Sequence, residues 1–373
     1  MRFGIDISPL RPGRTGVGNY VFYLLKNMLS LGTDDEFVGF AATLSQLELD
    51  GLDKRLHVRH VRVPTRVLYA VWRLGRSLPV ERFTGKIDLF HATNYFLPPA
   101  RTAKRIVTIH DLSFLVVPQY CSPKIVGPFS TGIGRFARDA DAIIVYSDST
   151  KKDIVSILGV PESKISVIHM AVDDEFGRSA EDADWLKGTH QVVPPYILYV
   201  GMLEPRKNVP AILRAFSAIS GDFPHQLVLV GDRGWMYEEI FQLCDELGLG
   251  ERVRFIGFVG HDKLAAFYRY ADVFLFPSFY EGFGLPVLEA MQCGCPVVTA
   301  RNSSLPEVGG DAALYVDAGD WKGFAEQMST VLKDASLRNR LARDGREQAA
   351  RFSWKRSAAR TLDLYREVAG GNR

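Results

Sequence analysis

Long apolar runs are missing from this chain. None approaches the ~20 residues that a membrane-spanning helix needs, so no segment reads as one. Cysteine is scarce and scattered: Cys121, Cys244, Cys293 and Cys295. Cys293-Gly294-Cys295 has no second pair to complete a zinc site, so all four read as buried free thiols. An excess of one charge is missing as well. Lys and Arg total 45 against 43 Asp and Glu, and a net charge of +2 argues against nucleic acid as a partner. There is no apolar leader. Met1-Arg2-Phe3-Gly4-Ile5-Asp6-Ile7 carries charge where a signal peptide would be apolar, and it reads as a strand, which points to the cytoplasm. No Asp-x-Asp motif sits in a strand-end loop. Asp139-Ala140-Asp141 precedes a strand and Asp182-Ala183-Asp184 falls in a charged connector, so no metal is expected.

What is present is regular alternation. Short Val/Ile-rich runs, as expected of strands buried on both faces, alternate with helix-like stretches. In the first half the runs are 2–7, 37–41, 58–63, 87–91, 105–109, 142–146 and 165–168. The irregular, charged stretch from Gly177 to Pro195 reads as a linker. The pattern then restarts at 196–200, 226–230, 253–257, 273–276, 296–299 and 313–316. A length of 373 residues suits two domains. The expected fold is α/β: two doubly wound domains, 1–185 and 190–354, facing across a cleft, with a last helix over about 355–373 packing back on the first. Ligands of such sheets bind beyond the carboxyl ends of the strands.

The loops at those ends carry the chemistry. Gly13-Arg14-Thr15-Gly16-Val17-Gly18 follows the first strand with G-x-x-G-x-G spacing, which is not the dinucleotide fingerprint but still lets backbone N–H groups approach a diphosphate. Thr108-Ile109-His110-Asp111 places a His-Asp pair at a strand end, where the acid can hold the imidazole in one tautomer; His91 is a weaker case of the same kind. Glu204-Pro205-Arg206-Lys207-Asn208 sets two cations at a helix entry, a poor place for cations unless an anion is near. Glu281-Gly-Phe-Gly-Leu-Pro-Val-Leu-Glu289 combines two carboxylates, a Gly-x-Gly turn and a helix starting near Pro286. Asn302-Ser303-Ser304-Leu305-Pro306-Glu307 adds hydroxyls and backbone donors at another helix start.

Together with Arg351-Phe352-Ser353-Trp354, these motifs resemble family 4 glycosyltransferases, the retaining nucleotide-sugar enzymes of GT-B fold. The resemblance spans nearly the whole chain and rests most heavily on the E-x7-E element. It implies that Arg206 and Lys207 hold the donor diphosphate and offset charge on the leaving group. Gly16 and Gly18 would bring backbone amides to the same diphosphate. Glu289 would bind the ribose, Glu281 the donor sugar, and His110 would lie near the sugar C6 hydroxyl and the reaction centre. Ser304 and Leu305 would donate backbone hydrogen bonds, Gly257 and Phe258 would flank the base, and Gly282, Phe283, Gly284 and Leu285 fill the motif between the acids. Many relatives have Gly-Arg where this chain has Gly201-Met202, so Arg206 would supply the missing cation. No cofactor is implied. The His110–Phe114 run resembles bacterial mannosyltransferases, which makes GDP-mannose the first donor and a glycan or polyprenyl-linked glycan of surface polysaccharide the acceptor.

Two alternatives stand beside this reading. A nicotinamide oxidoreductase lacks its fingerprint glycines here. A non-catalytic nucleotide-sugar or glycan binder would have no need of Lys207, Glu281, Glu289 and His110 together. Finally, 54–86 holds nine Lys/Arg and one acid, Glu81. Within it 65–78 reads as a helix with a cationic side and an apolar side carrying Trp72, the composition of a helix lying on an anionic membrane surface.

Overall fold

The computed structural model describes residues 1–14, 16–74, 78–178 and 180–371. They divide into two compact units. The first comprises Met1–Leu112, Lys124–Met170 and Ser353–Arg373; the second comprises Ser113–Pro123 and Ala171–Phe352.

The first unit is built on a seven-stranded parallel sheet: β1 (Arg2–Asp6), β2 (Glu36–Ala42), β3 (Leu56–Val61), β4 (Leu89–Ala92), β5 (Lys104–Thr108), β6 (Ala142–Val145) and β7 (Ile165–Val167). Their spatial order is β3-β2-β1-β4-β5-β6-β7. β4 and β6 are buried at every residue, which is why they read as unbroken apolar runs rather than alternating ones. The second unit repeats the scheme with β8 (Tyr196–Val200), β9 (Gln226–Val230), β10 (Val253–Gly257), β11 (Val273–Phe276), β12 (Val297–Ala300) and β13 (Ala313–Val316), in the order β10-β9-β8-β11-β12-β13. The order reverses between β1 and β4 in one sheet and between β8 and β11 in the other, the places where sheets of this kind bind ligands.

The last helix, Trp354–Gly370, belongs to the first unit. Its Tyr365 is fully buried, meets Phe3 edge-on at 5.2 Å and reaches His91 Nδ1 at 2.5 Å. Ser357 Oγ donates to the His169 carbonyl at 2.6 Å, and Arg366 pairs with Asp35 at 2.8 Å.

Three sequence expectations need correcting. Gly177–Pro195 is not a bare linker: it contains the helix Ala183–His190, N-capped by Asp182, with Leu186 fully buried, and the whole stretch lies inside the second unit. The units part at Met170 and Ala171, ahead of the expected 185–190. A charged sequence concealed a short helix whose one apolar anchor is enough to fix it. The helix Trp321–Lys333, capped by Asp320, had no counterpart in the sequence reading.

The third correction concerns the basic stretch. The helix runs Thr65–Leu74, and 75–77, including Arg76, lie outside the described residues. Its apolar side faces protein. Leu68 and Trp72 are 6% and 5% exposed, Trp72 packs against Phe40 and donates its indole N–H to the Leu78 carbonyl at 2.9 Å. Tyr69 stacks on Phe96 at 4.3 Å. Val67, by contrast, is exposed. An apolar face already buried has nothing to give a bilayer, so Trp72→Ala is expected to cost about 3–5 kcal/mol of stability and to leave vesicle binding unchanged, as urea denaturation and co-sedimentation would show. No helix among the described residues is long and apolar enough to cross a membrane.

Candidate active site

In the second unit the loops after β8 and β11 are stitched together where the strand order reverses. Phe279 N–H donates to the Arg206 carbonyl at 2.9 Å, and Asn208 Nδ2 donates to the carbonyls of Pro277 and Ala318 at 3.2 and 2.7 Å. This brings Arg206 and Lys207 against Glu281, about 75 residues further along the chain. Lys207 Nζ donates to Glu281 Oε1 at 2.6 Å and lies over the Phe276 ring at 4.9 Å. Arg206 Nη1 is 3.1 Å from the same oxygen and donates to the Tyr280 carbonyl at 2.7 Å; Nη2 donates to Glu204 Oε1 at 2.7 Å. Ser278, fully buried, donates its hydroxyl to Glu281 Oε1 at 2.6 Å.

Two cations and two carboxylates thus form a quartet of net charge zero. Burial would raise the Glu281 pKa, but the Lys207 and Arg206 charges outweigh it and hold the carboxyl below its ordinary value. Burial pulls Lys207 down, partly against the pull of Glu281. The sequence reading gave Glu281 to a sugar. In the structure its Oε1 is occupied by the two cations and Ser278. Ser278 and Glu204 went unassigned from sequence, although each sits in a loop directly following a strand.

The E-x7-E turn is held from behind. Ser304 Oγ donates to the carbonyls of Glu281 and Phe283 at 2.9 and 2.7 Å, and the Glu281 N–H donates to Ser303 Oγ at 3.0 Å. The Leu305 amide donates to the Asn302 carbonyl at 3.2 Å, and its side chain is fully buried. The Ser304 hydroxyl therefore holds the turn, while the Leu305 amide bonds within its own loop. Phe283 is core, edge-on to Phe352 at 5.7 Å, and contributes by anchoring the turn. Gly284 takes φ +109°, and a Cβ there would meet Leu305 Cδ2 at 2.9 Å, so no other residue fits without strain. The helix then runs Leu285–Cys293, and no side chain caps its first turn. Gly282 is buried and Leu285 half-buried in that turn.

Glu289 points elsewhere. It is buried and accepts from the Tyr268 hydroxyl at 2.9 Å. Burial holds its pKa above the ordinary range, and His261 and Tyr268 offset this in part. The two glutamates of the motif therefore stand in opposite electrostatic settings: two cations favour the ionised form of Glu281, and burial disfavours that of Glu289. Such carboxylates do different work. At the end of β10, Gly257 has φ +78° and Phe258 is 65% exposed, an aromatic face open to a ligand.

In the first unit, His110 follows β5 and is ringed by tyrosines. Tyr95, Tyr146 and Tyr20 lie at centroid distances of 5.2, 5.4 and 5.9 Å, each at the carboxyl end of the sheet. The Tyr146 hydroxyl sits 2.7 Å from His110 Nδ1 and orients the ring. Burial pushes the imidazole pKa down to about 4, partly offset by the Asp111 charge, so the ring is neutral at physiological pH. His91 is structural: it is fully buried, with Nδ1 on Tyr365 and Nε2 on Thr108 at 2.7 Å. In the glycine loop Thr15 lies outside the described residues. Gly16 is exposed and opens the helix Gly16–Leu29. Gly18 is buried, and a Cβ there would meet the Pro9 carbonyl at 2.9 Å. The close approach that requires glycine at 18 is thus to the protein's own backbone.

Comparison with known proteins bears on this arrangement. Residues 187–348 match the family described as Glycosyl transferases group 1, and 14–176 match Glycosyltransferase Family 4. O-antigen chain mannosyltransferase B of Escherichia coli is 33% identical over 380 residues, covering 98% of this chain and 100% of that protein. The chain belongs to glycosyltransferase family 4. Among solved structures, sucrose-phosphate synthase from Thermosynechococcus elongatus superposes on this glycosyltransferase with a TM-score of 0.80 at 21% identity, covering 100% of both chains. Anabaena HepE in complex with UDP-glucose gives 0.74 at 18% identity, covering 98% of this chain and 100% of that one. At such identities the structural likeness bears on the fold, which both share with this glycosyltransferase.

Proposed function

We propose that this glycosyltransferase moves a mannosyl group from GDP-mannose to a glycan, free or polyprenyl-linked, in surface polysaccharide synthesis, with retention at the anomeric carbon and without a metal ion. The observation that carries the reading is the pairing of buried Lys207 with half-buried Arg206 where the strand order reverses beyond β8 and β11. Two fixed cations there meet a donor diphosphate and the charge that grows on it as the glycosidic bond breaks. Similarity to the E. coli O-antigen mannosyltransferase over the full chain supports mannose and the glycan acceptor.

Retention follows if the acceptor attacks from the face the nucleotide leaves. The bond from C1 to the diphosphate oxygen breaks with its electron pair going to phosphate, the acceptor oxygen bonds to C1, and its proton passes to the departing phosphate. Glu281 suits alignment better than nucleophilic attack, because Lys207, Arg206 and Ser278 all occupy its Oε1. Glu289 takes the ribose hydroxyls, Phe258 the base, and neutral His110 the sugar. The exposed cations of β3 and its flanks, Lys54, Arg55, Arg59 and Arg62, would favour an anionic membrane by charge alone.

The test is nucleotide release from a panel of GDP- and UDP-sugars, with and without a mannan oligosaccharide, and NMR of the product anomer. GDP release from GDP-mannose that depends on acceptor, with an α-linked product, is the expected outcome. An inverted product would end the retaining mechanism, preference for a UDP-sugar would end the donor assignment, and tight binding without turnover would favour the non-catalytic binder.

A further inference from the structure

A cavity of about 300 Å³ opens in the first unit at the other end of its sheet. Its wall includes Leu97, Phe136 and three guanidinium groups, Arg101, Arg105 and Arg135, with the single carboxylate of Asp139. Three positive charges in the lining face one negative, and the Glu81 carboxylate behind the rim brings the local excess to about +1. Arg105 is the second residue of β5 and His110 follows that strand, so the cavity lies about 16 Å from His110 along it. It is no part of the site described above.

The geometry leaves the positive charge unspent. Arg105 is held by neutral groups: Nη2 donates to the Asp139 carbonyl at 2.8 Å and Nη1 to the Pro98 carbonyl at 3.4 Å. Arg135 Nε stands 3.6 Å from Asp139 Oδ2, with both side chains substantially exposed, a pairing worth little in water. Arg101 sits on a rim fixed by an unusual clamp: Glu81 Oε1 accepts the consecutive amides of Arg101, Thr102 and Ala103 at 2.8, 2.9 and 3.0 Å. The rim's backbone is therefore set while its guanidinium remains at the surface. Beside these cations Leu97, Pro79, Pro99, Ala100 and Phe136 supply an apolar wall. Forked donors suit phosphoryl oxygens, and the volume lies at the small end of the range for ligand pockets.

We propose that this cavity binds a phosphoryl dianion carried on a small, partly apolar organic body, as a second ligand site separate from the donor site. The excess of cations favours the anion, and the apolar part of the wall distinguishes an organic phosphate from the free ion.

Calorimetric titration of the full chain with phenyl phosphate and with inorganic phosphate tests this. The control is the double variant Arg101→Ala/Arg135→Ala, whose two exposed positions leave the fold and basal sugar transfer unchanged. Phenyl phosphate is expected to bind saturably and at least about ten-fold more tightly than inorganic phosphate, and the double variant to lose at least about ten-fold in affinity. Equal affinity for the two probes would overturn the organic body. Absence of saturable binding, or unchanged binding in the double variant, would overturn the site.

Discussion

Lys207→Met is expected to lower kcat/KM for sugar transfer by about a thousand-fold, the scale on which a preorganised charge at a leaving group is worth most. The same change should destabilise the second unit by about 3 kcal/mol, because it leaves the buried Glu281 with half its compensation. Glu281→Gln makes the reverse error and strands Lys207. The informative protein is Lys207→Met/Glu281→Gln. With both charges gone, stability should return to within about 1 kcal/mol of wild type while turnover stays lost. Urea denaturation followed beside nucleotide release reads both quantities. A double variant as unstable as either single one would mean that the 2.6 Å contact is not what joins these residues energetically. Glu281→Gln with near-full turnover would exclude any essential charge at 281.

Stability should also fall with acid, and two buried histidines of the first unit contribute to the fall. His91 and His110 have folded pKa values of about 3 and about 4, both pushed down first by burial from 6.5. The folded state therefore binds fewer protons than the unfolded one between those values and 6.5. Their contribution is fully present above 6.5 and is lost as pH falls, until it is exhausted near 4 for His110 and near 3 for His91. At pH 5 each should have cost about 2 kcal/mol relative to pH 8. His91→Gln removes one of the two and should lessen the fall in stability between pH 8 and pH 5 by about 2 kcal/mol. Thermal midpoints of both proteins from pH 8 to pH 5 would show it. Parallel curves would mean that His91 titrates normally.

Much of this architecture was legible in the residues. All thirteen strands stand within a few residues of their expected positions, since a strand buried on both faces must be a short apolar run. The chemistry-bearing loops were legible for a related reason: they follow strands. Partnership was not. Nothing local to His110 announces Tyr146, and nothing in Glu204–Asn208 announces Ser278 and Glu281; those pairings exist only once separate strands lie side by side. The amphipathic helix Thr65–Leu74 shows the same limit from another direction. Its periodicity fixes which side is apolar, but a stripe that meets Phe40 and one that meets lipid have the same period. Ala183–His190 was lost to its charge, although Asp182 offered an N-cap signal.

The placement of Trp354–Gly370 bears on how the molecule is made. During synthesis the amino-terminal strands emerge first, yet Phe3 and His91 find their partner in Tyr365, and Tyr23 finds one in Trp354 at 5.8 Å. While the ribosome is still producing the second unit, the first has an open seam along β1, β4 and the helix Gly16–Leu29. The unit that emerges first is therefore completed only after the second, and its exposed seam must be tolerated or chaperoned while the second is made.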